Sequence, residues 1–475
     1  MHGALDDTIC AIATPPGEGG IGVVRISGLH ALDVVSRVVR LRSGASLHSL
    51  HTHRMALADV CSQAIAPLPT DSAPDAFSVL DEALVVVMKG PHSFTGEDVV
   101  EVQCHGGAVI LNQLCRAVMS GGARLAEPGE FTKRAFLNGR LDLAQAEAVL
   151  DTIRAKTARS LAIAQSQRRG ELSQEVGATR AKLVVALAHV EAALDFAEED
   201  IAFVRQDELK RLLDETCTGL HRLVESGHEG RLWREGAAVA ILGRPNVGKS
   251  SLMNALLRSD RAIVTPVPGT TRDMLEETVS IHGIPVRLLD TAGMRPTDDV
   301  VEAEGIRRSQ RAWEEADLAL ILLDGSQPLS ESDRVLLARP EAAQALLVIN
   351  KCDLPRCLAK DELAHACQGS LSTIDISAKT QLGLDEVREA IRGRLMPERM
   401  EAGDSVLVTN LRHAAALERA LQGVEQARRS VEEGRAGELI AMDLRIAADA
   451  LGEITGVITT DEILERIFAE FCIGK

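Results

Sequence analysis

The sequence predicts a multidomain α/β plus α protein, in which a mostly parallel sheet domain is inserted into a helical domain and an α+β region comes first. Proline use is the first observation. Seven of the 16 prolines lie between Pro15 and Pro128 and nine between Pro245 and Pro397, leaving residues 129–244 and those after 397 without any. Proline removes a helix hydrogen bond and clashes with the preceding turn, so the empty stretches can hold long helices. Apolar side chains recur there at helical spacing, through Leu183, Leu187, Val190 and Leu194, and again through Leu417, Leu421, Val424, Leu439 and Leu444. Between those stretches, apolar runs alternate with helix-like segments, the order that builds a parallel sheet.

Taken in order, residues 1–139 carry strand-like runs in VVRIS, ALVVVMK and VVEVQCH and read as the α+β domain. Residues 140–235 read as the first part of the helical domain. Residues 236–398 read as the insertion, with AAVAILG ending at Gly243, VRLLD at Asp290, LALILLD at Asp324, ALLVINK at Lys351 and TIDISA at Ala378. A domain of this kind has its ends close together and can sit between two helices. Residues 399–475 return to the helical pattern and finish in FCIGK.

A length of 475 residues suits roughly three domains. The net charge of −17 argues against a chain whose main business is coating nucleic acid, while leaving room for a local basic surface. Nine scattered cysteines point to a reduced, cytoplasmic setting, and Cys352, Cys357 and Cys367 fit no zinc spacing. MHGALDD lacks the pattern of a secretory signal, and no apolar run of about 18 residues could span a bilayer, so no membrane contact is expected.

The strongest motif is GRPNVGKS, Gly243 to Ser250, which follows an apolar strand and opens a helix-forming segment. Such a loop aims backbone N–H groups and a helix N-terminus at phosphate oxygens. Lys249 adds a point charge for the β- and γ-phosphates, and Ser250 a hydroxyl for Mg²⁺. Asn350, Lys351 and Asp353 follow a buried strand, where a sheet presents its ligand loops. The Asp353 carboxylate can accept from both N1–H and the 2-amino group of guanine. Adenine would leave it unpaired, at a cost of ~1–3 kcal/mol. Ser377, Ala378 and Lys379 follow the next strand and are placed to close over the base, so the order of motifs points to GTP. Asp290 is expected to hold Mg²⁺ through water and Gly293 to meet the γ-phosphate. Thr270 and Thr271 are candidate switch residues, with Thr271 the second Mg²⁺ hydroxyl.

Met294 stands where Ras-type GTPases place a water-orienting glutamine, and a thioether cannot do that work. Asp298, Asp299, Glu302 and Glu304 are acidic candidates, and spacing does not choose among them. His92 and His105 read as structural histidines in turns. Arg154, Lys156, Arg159, Arg168, Arg169, Arg180 and Lys182 are candidates for a local basic surface on the helical region, each set against the plainer reading of a solvated helix face.

The segments GRPNVGKSS, PGTTRD, DTAGMR and NKCD resemble those of the MnmE (TrmE) family of bacterial tRNA-modification GTPases. So do ATPPGEGGIGVVRISG, HSFTGEDVVEVQCHGG, EPGEFTKRAFLNGRLDLAQAEAV and the closing FCIGK, so the resemblance spans essentially the whole chain. The GTPase motifs are shared with ribosome-assembly GTPases that bind ribosomal RNA, the alternative reading; the other segments are not. The resemblance implies an N-terminal tetrahydrofolate-binding and dimerisation domain, a helical domain and an inserted Ras-like P-loop GTPase domain. It implies that GTP is held by Asn246, Val247, Gly248, Lys249, Ser250, Ser251, by Thr265, Pro266, Val267, Pro268, Gly269, Thr270, Thr271, by Asp290, Thr291, Ala292, Gly293, and by the two base-side motifs. Pro266 and Pro268 should stiffen the switch.

The resemblance further implies that K⁺ is held by Asn246, Thr265, Val267 and Thr270, standing in for an arginine finger as two G domains meet. Glu302 matches the family's water-orienting glutamate. Arg25, Glu101, Arg140 and Lys475 match positions for a formyl- or methylene-tetrahydrofolate. Some members have lysine at the position of Arg140, and arginine keeps the charge but changes the fork geometry. The implied partner is an FAD-dependent MnmG (GidA) protein, joined in a heterotetramer. The implied product is an aminomethyl or carboxymethylaminomethyl group at C5 of a tRNA wobble uridine, with homodimerisation through the N-terminal domain. Ile467, Phe468, Phe471 and Ile473 are too apolar for a solvated tail, so docking is expected. Cys472 is then a candidate for contact with the uridine, against the plainer reading of a packed thiol.

Overall fold

Valine- and isoleucine-rich runs suit a pleated, half-buried surface, and they form both sheets of the computed structural model. It describes residues 7–61, 79–195, 206–259, 277–290, 312–339, 342, 344–366, 373–396 and 406–475. The chain divides into two compact units, Met1–Leu150 with Gly452–Lys475, and Asp151–Leu451.

In the first unit the elements run β1 (Ile9–Ile12), β2 (Gly19–Ser27), α1 (Ala31–Ser36), β3 (Val39–Leu41), β4 (Met55–Cys61), β5 (Val79–Met88), β6 (Val99–Gly106), α2 (Ala108–Ser120), β7 (Arg124–Leu125) and α3 (Glu130–Leu137). The sheet order is β3-β4-β5-β6-β2-β1-β7, with β1 and β7 parallel and the other pairs antiparallel. Alternation buries Val24, Ile26, Val85, Val87, Val100 and Val102 in one cluster with Val34, Leu114 and Val118 of the helices. Ile9, Ala11, Ala126 and Phe131 form a separate cluster. Beside it Arg134, only 1% exposed, is answered by Asp7 at 2.6 Å, Glu130 at 3.0 Å and Glu97 at 3.2 Å. A charge taken out of water needs such partners, and here they fasten α3 to the chain before β1. Leu143, Ala146 and Leu150 of α4 (Leu143–Arg154) pack with Leu464, Phe468 and Phe471. The tail thus docks through Ile467, Phe468 and Phe471, whereas Ile473 is 50% exposed and does not join the cluster.

The second unit holds α5 (Ala158–Arg168), α6 (Glu171–Asp195), α7 (Gln206–Glu235) and the helices Leu411–Glu432 and Gly437–Thr455. Its sheet comprises β8 (Ala237–Leu242), β9 (Glu277–Ile281), β10 (Ile284–Asp290), β11 (Leu318–Asp324), β12 (Leu346–Asn350) and β13 (Thr373–Asp375), with α8 (Lys249–Ser259) after β8. The order is β13-β12-β11-β8-β10-β9, parallel throughout except that β9 runs antiparallel to β10. β8, β11 and β12 are buried along their whole length, which explains their unbroken apolar runs.

Two expectations are corrected. Leu439 is 43% exposed, and Ile440, Leu444 and Ala447 make the buried stripe, because Gly437–Thr455 carries apolar residues on more than one face. His105 lies in strand β6, not in a turn, and its exposed ring pairs with Asp81 at 2.9 Å. No helix among the described residues is long and apolar enough to cross a membrane.

Candidate nucleotide and tail sites

Parallel strands deliver their following loops to one edge of a sheet. β8 leads into Gly243–Gly248 and then α8, β11 ends at Asp324, β12 ends at Asn350, and Ser377 follows β13. The phosphate-loop backbone is in the left-handed region at Asn246 (φ 65) and at Gly248 (φ 103). A Cβ on Gly248 would lie 2.2 Å from Asn350 Nδ2, so glycine is required there for space as well as conformation.

Asn350 is 3% exposed, and its carboxamide serves two loops. Nδ2 donates to the Val247 carbonyl at 2.8 Å, and Oδ1 accepts from the Ala378 amide at 3.0 Å. One side chain thereby ties the loop after β8 to the loop after β13. The Lys249 ammonium donates to the carbonyls of Gly243 (2.7 Å) and Arg244 (3.0 Å), which holds it over the loop. Ser250 and Ser251 are exposed in the first turn of α8. Lys351 has φ 66, and its ammonium lies 2.7 Å from Asp324 Oδ2. Burial pushes the Asp324 carboxyl up, but the Lys351 ammonium and the Ser326 hydroxyl and amide outweigh it and leave it below its ordinary value. Asp353 is exposed two residues beyond Lys351. Ser377 is fully buried, its hydroxyl accepting from the Thr380 amide at 3.1 Å, while Lys379 is exposed.

Asp290 ends β10 in register with Ile241 of β8. Thr265, Pro266, Val267, Pro268, Gly269, Thr270, Thr271, Thr291, Ala292, Gly293 and Glu302 lie outside the described residues, as do Met294, Asp298, Asp299 and Glu304. Asp324 was missed by the sequence reading. The available signal was an aspartate ending the otherwise apolar run LALILLD.

In the first unit, Arg25 of β2 and Glu101 of β6 are register partners. Their side chains meet, with Arg25 Nε donating to Glu101 Oε1 at 2.8 Å and Nη1 to the Gly474 carbonyl at 3.2 Å. The guanidinium lies 5.8 Å from the Phe131 ring centroid, a cation–π contact that sequence did not suggest. Gly474 has φ 98, and a Cβ there would lie 2.7 Å from the Ile12 carbonyl oxygen, so glycine lets the tail pass close to β1. Burial first, then the Arg25 charge, hold the Lys475 ammonium below its ordinary pKa, with Glu101 opposing. Cys472 is exposed, not packed as a buried thiol. Arg140 is exposed and donates Nε to the Ser93 carbonyl at 3.2 Å.

Of the basic residues on the helical region, Arg159 lies 5.9 Å from the Trp233 ring centroid, Arg169 pairs with Glu171 at 2.7 Å, and Arg180 donates to the Ala448 carbonyl at 3.1 Å. Those three are engaged within the chain.

Residues 143–472 match the family model described as the MnmE helical domain, and residues 8–140 match that of the GTP-binding protein TrmE N-terminus. The tRNA modification GTPase MnmE of Alkaliphilus oremlandii is 43% identical over 471 residues, covering 99% of this chain and 100% of the relative. The protein of that name from Heliobacterium modesticaldum is 45% identical over 476 residues, with 99% and 100% coverage. That from Geobacter sulfurreducens is 45% identical over 473 residues, again with 99% and 100% coverage.

Proposed function

Since the chain belongs to the MnmE family of tRNA modification GTPases, we propose that its second unit binds and hydrolyses GTP with Mg²⁺ to drive a tRNA modification that its first unit supports. One observation carries the nucleotide half: the Asn350 carboxamide joins the phosphate loop to the loop after β13, with Asp353 exposed three residues on. A diphosphate between backbone N–H groups and the Lys249 ammonium, and a guanine on the Asp353 carboxylate, are the ligand parts that this arrangement suits. Ser250 and Thr271 would hold Mg²⁺, with Asp290 acting through water. Val247, Gly248 and Ser251 complete the phosphate side, and Ser377, Ala378 and Lys379 the base side.

For hydrolysis we propose Glu302 as the residue that orients water, with Thr265 to Thr271 and Thr291 to Gly293 as the switch segments. Asn246, exposed at a left-handed bend, fits a cation ligand; with Thr265, Val267 and Thr270 it would hold K⁺. That ion would supply positive charge where phosphate charge develops. Residues 236–398 would act as the G domain between helical parts 140–235 and 399–475.

For the first unit, the donor set fits a folate. Arg25 and Lys475 offer cationic donors to its carbonyl and carboxylate oxygens, and Glu101 offers an acceptor to a pterin N–H. Arg140 would join from the neighbouring loop. The folate would supply a one-carbon unit. In that reading an FAD-dependent MnmG-type partner completes the wobble-uridine modification in a cytoplasmic heterotetramer, the chain pairs with a second copy through residues 1–139, and exposed Cys472 faces the uridine. Titration with 5-formyl-tetrahydrofolate tests this half. Saturable binding is expected for the wild type, with a loss of at least about tenfold in Arg25→Ala. No binding, or binding unaffected by Arg25→Ala, would contradict it.

A further inference from the structure

Asp324 closes β11 with only 5% of its surface exposed, and no motif assigns it a role. A buried carboxylate needs donors on both oxygens to offset lost hydration. Oδ2 has the Lys351 ammonium at 2.7 Å, and Oδ1 accepts from the Ser326 hydroxyl at 2.6 Å and the Ser326 amide at 3.0 Å. The following residue is fastened to the neighbouring strand, because the Gly325 amide donates to the Asn350 carbonyl at 2.8 Å. Lys351 sits between the strut Asn350 and the guanine reader Asp353, and its own backbone is left-handed at φ 66. An L-residue with a long side chain takes that conformation only when its surroundings hold it there.

We infer that Asp324 is a positioning residue for the guanine nucleotide: by tethering the Lys351 side chain, it holds the turn that carries Asp353 to the base. The inference rests on the GTP reading above. Its two oxygens do different jobs, so the role can be separated from simple capping of the turn at Ser326. In Asp324→Asn the carboxamide oxygen can still accept from Ser326, while its NH₂ group faces the Lys351 ammonium, donor against donor.

The test measures the Kd of a fluorescent GDP analogue, and KM and kcat for GTP, on the full chain. The forms compared are the wild type, Asp324→Asn, Lys351→Met, the double variant and Ser326→Ala. Asp324→Asn and Lys351→Met should each raise Kd and KM about tenfold, the loss of one hydrogen bond to a charged group, with kcat at saturating GTP kept. The double variant should be no worse than Lys351→Met alone, the mark of residues acting as a unit. Ser326→Ala should bind like the wild type. An unaltered Kd in Asp324→Asn, additive losses in the double variant, or an equal loss in Ser326→Ala would overturn the inference while leaving the GTP reading intact. A wild type that binds no guanine nucleotide would overturn both.

Discussion

At residue scale the nucleotide face depends on polar side chains that each answer two partners. The Asn350 carboxamide joins two loops, and the Asp324 carboxylate joins a lysine and a serine. Such groups cannot be swapped for others of similar size, since a lost partner leaves a buried polar atom unsatisfied. Thiols behave differently. Burial pushes Cys61 and Cys104 up to about 11, from an ordinary value of 9.0. Because the folded-state value is raised, the stability contributed by the neutral thiols is complete below the ordinary value and is lost as pH climbs through about 11. Iodoacetamide at pH 9 should therefore modify exposed Cys357 and Cys472 while sparing Cys61 and Cys104, as read by peptide mass mapping. Equal labelling of all four would contradict the burial. Urea midpoints should fall between pH 9 and 11.

At element scale the phosphate loop is shaped by close approach. In Gly248→Ala the new methyl group would overlap the Asn350 carboxamide at a backbone φ of 103 that L-residues avoid. GDP affinity should fall about a hundredfold, or ~2.7 kcal/mol, in a fluorescence titration. Unchanged affinity would mean that the loop does not hold the nucleotide. The strands that carry this loop and its neighbours were legible because each is an unbroken apolar run, as in AAVAIL and LALILLD. The edge strand β9 was not: ETVSI mixes polar and apolar residues, and its partner is set by the hairpin at His282 and Gly283. The phase of Gly437–Thr455 was misread because Leu439 and Ile440 are adjacent and equally apolar, so tertiary packing alone decides which turns inward. The P-loop glycines could be placed from their motif, whereas the Arg25 contact with the Gly474 carbonyl could not. Nor could the Asp324 tether, because it joins the last residue of β11 to the residue after β12, which spacing does not relate.

At the scale of the whole molecule, a net charge of −17 requires any tRNA contact to be local. Arg159, Arg169 and Arg180 are already engaged within the chain, which narrows the basic surface left for that purpose. Met294 cannot orient water, and in the proposed function K⁺ and Glu302 take up that work. GTP turnover should be about a hundredfold faster in K⁺ than in Na⁺, the scale of one lost charge-stabilising group, and Glu302→Ala should lower kcat with little change in KM. Equal rates in the two salts would remove the K⁺ assignment, and an unaltered kcat would remove that of Glu302.

The claim on which the rest depends is that the carboxylate of Asp353 selects guanine. Competition of GDP, ADP and XDP against a fluorescent GDP analogue measures it directly. The wild type should favour GDP over ADP by at least about a thousandfold, because adenine cannot answer the carboxylate. Asp353→Asn should shift preference to XDP, whose 2-oxo group accepts from the new amide. Displacement by ADP as effective as by GDP, or an Asp353→Asn variant that still prefers GDP, would contradict the account.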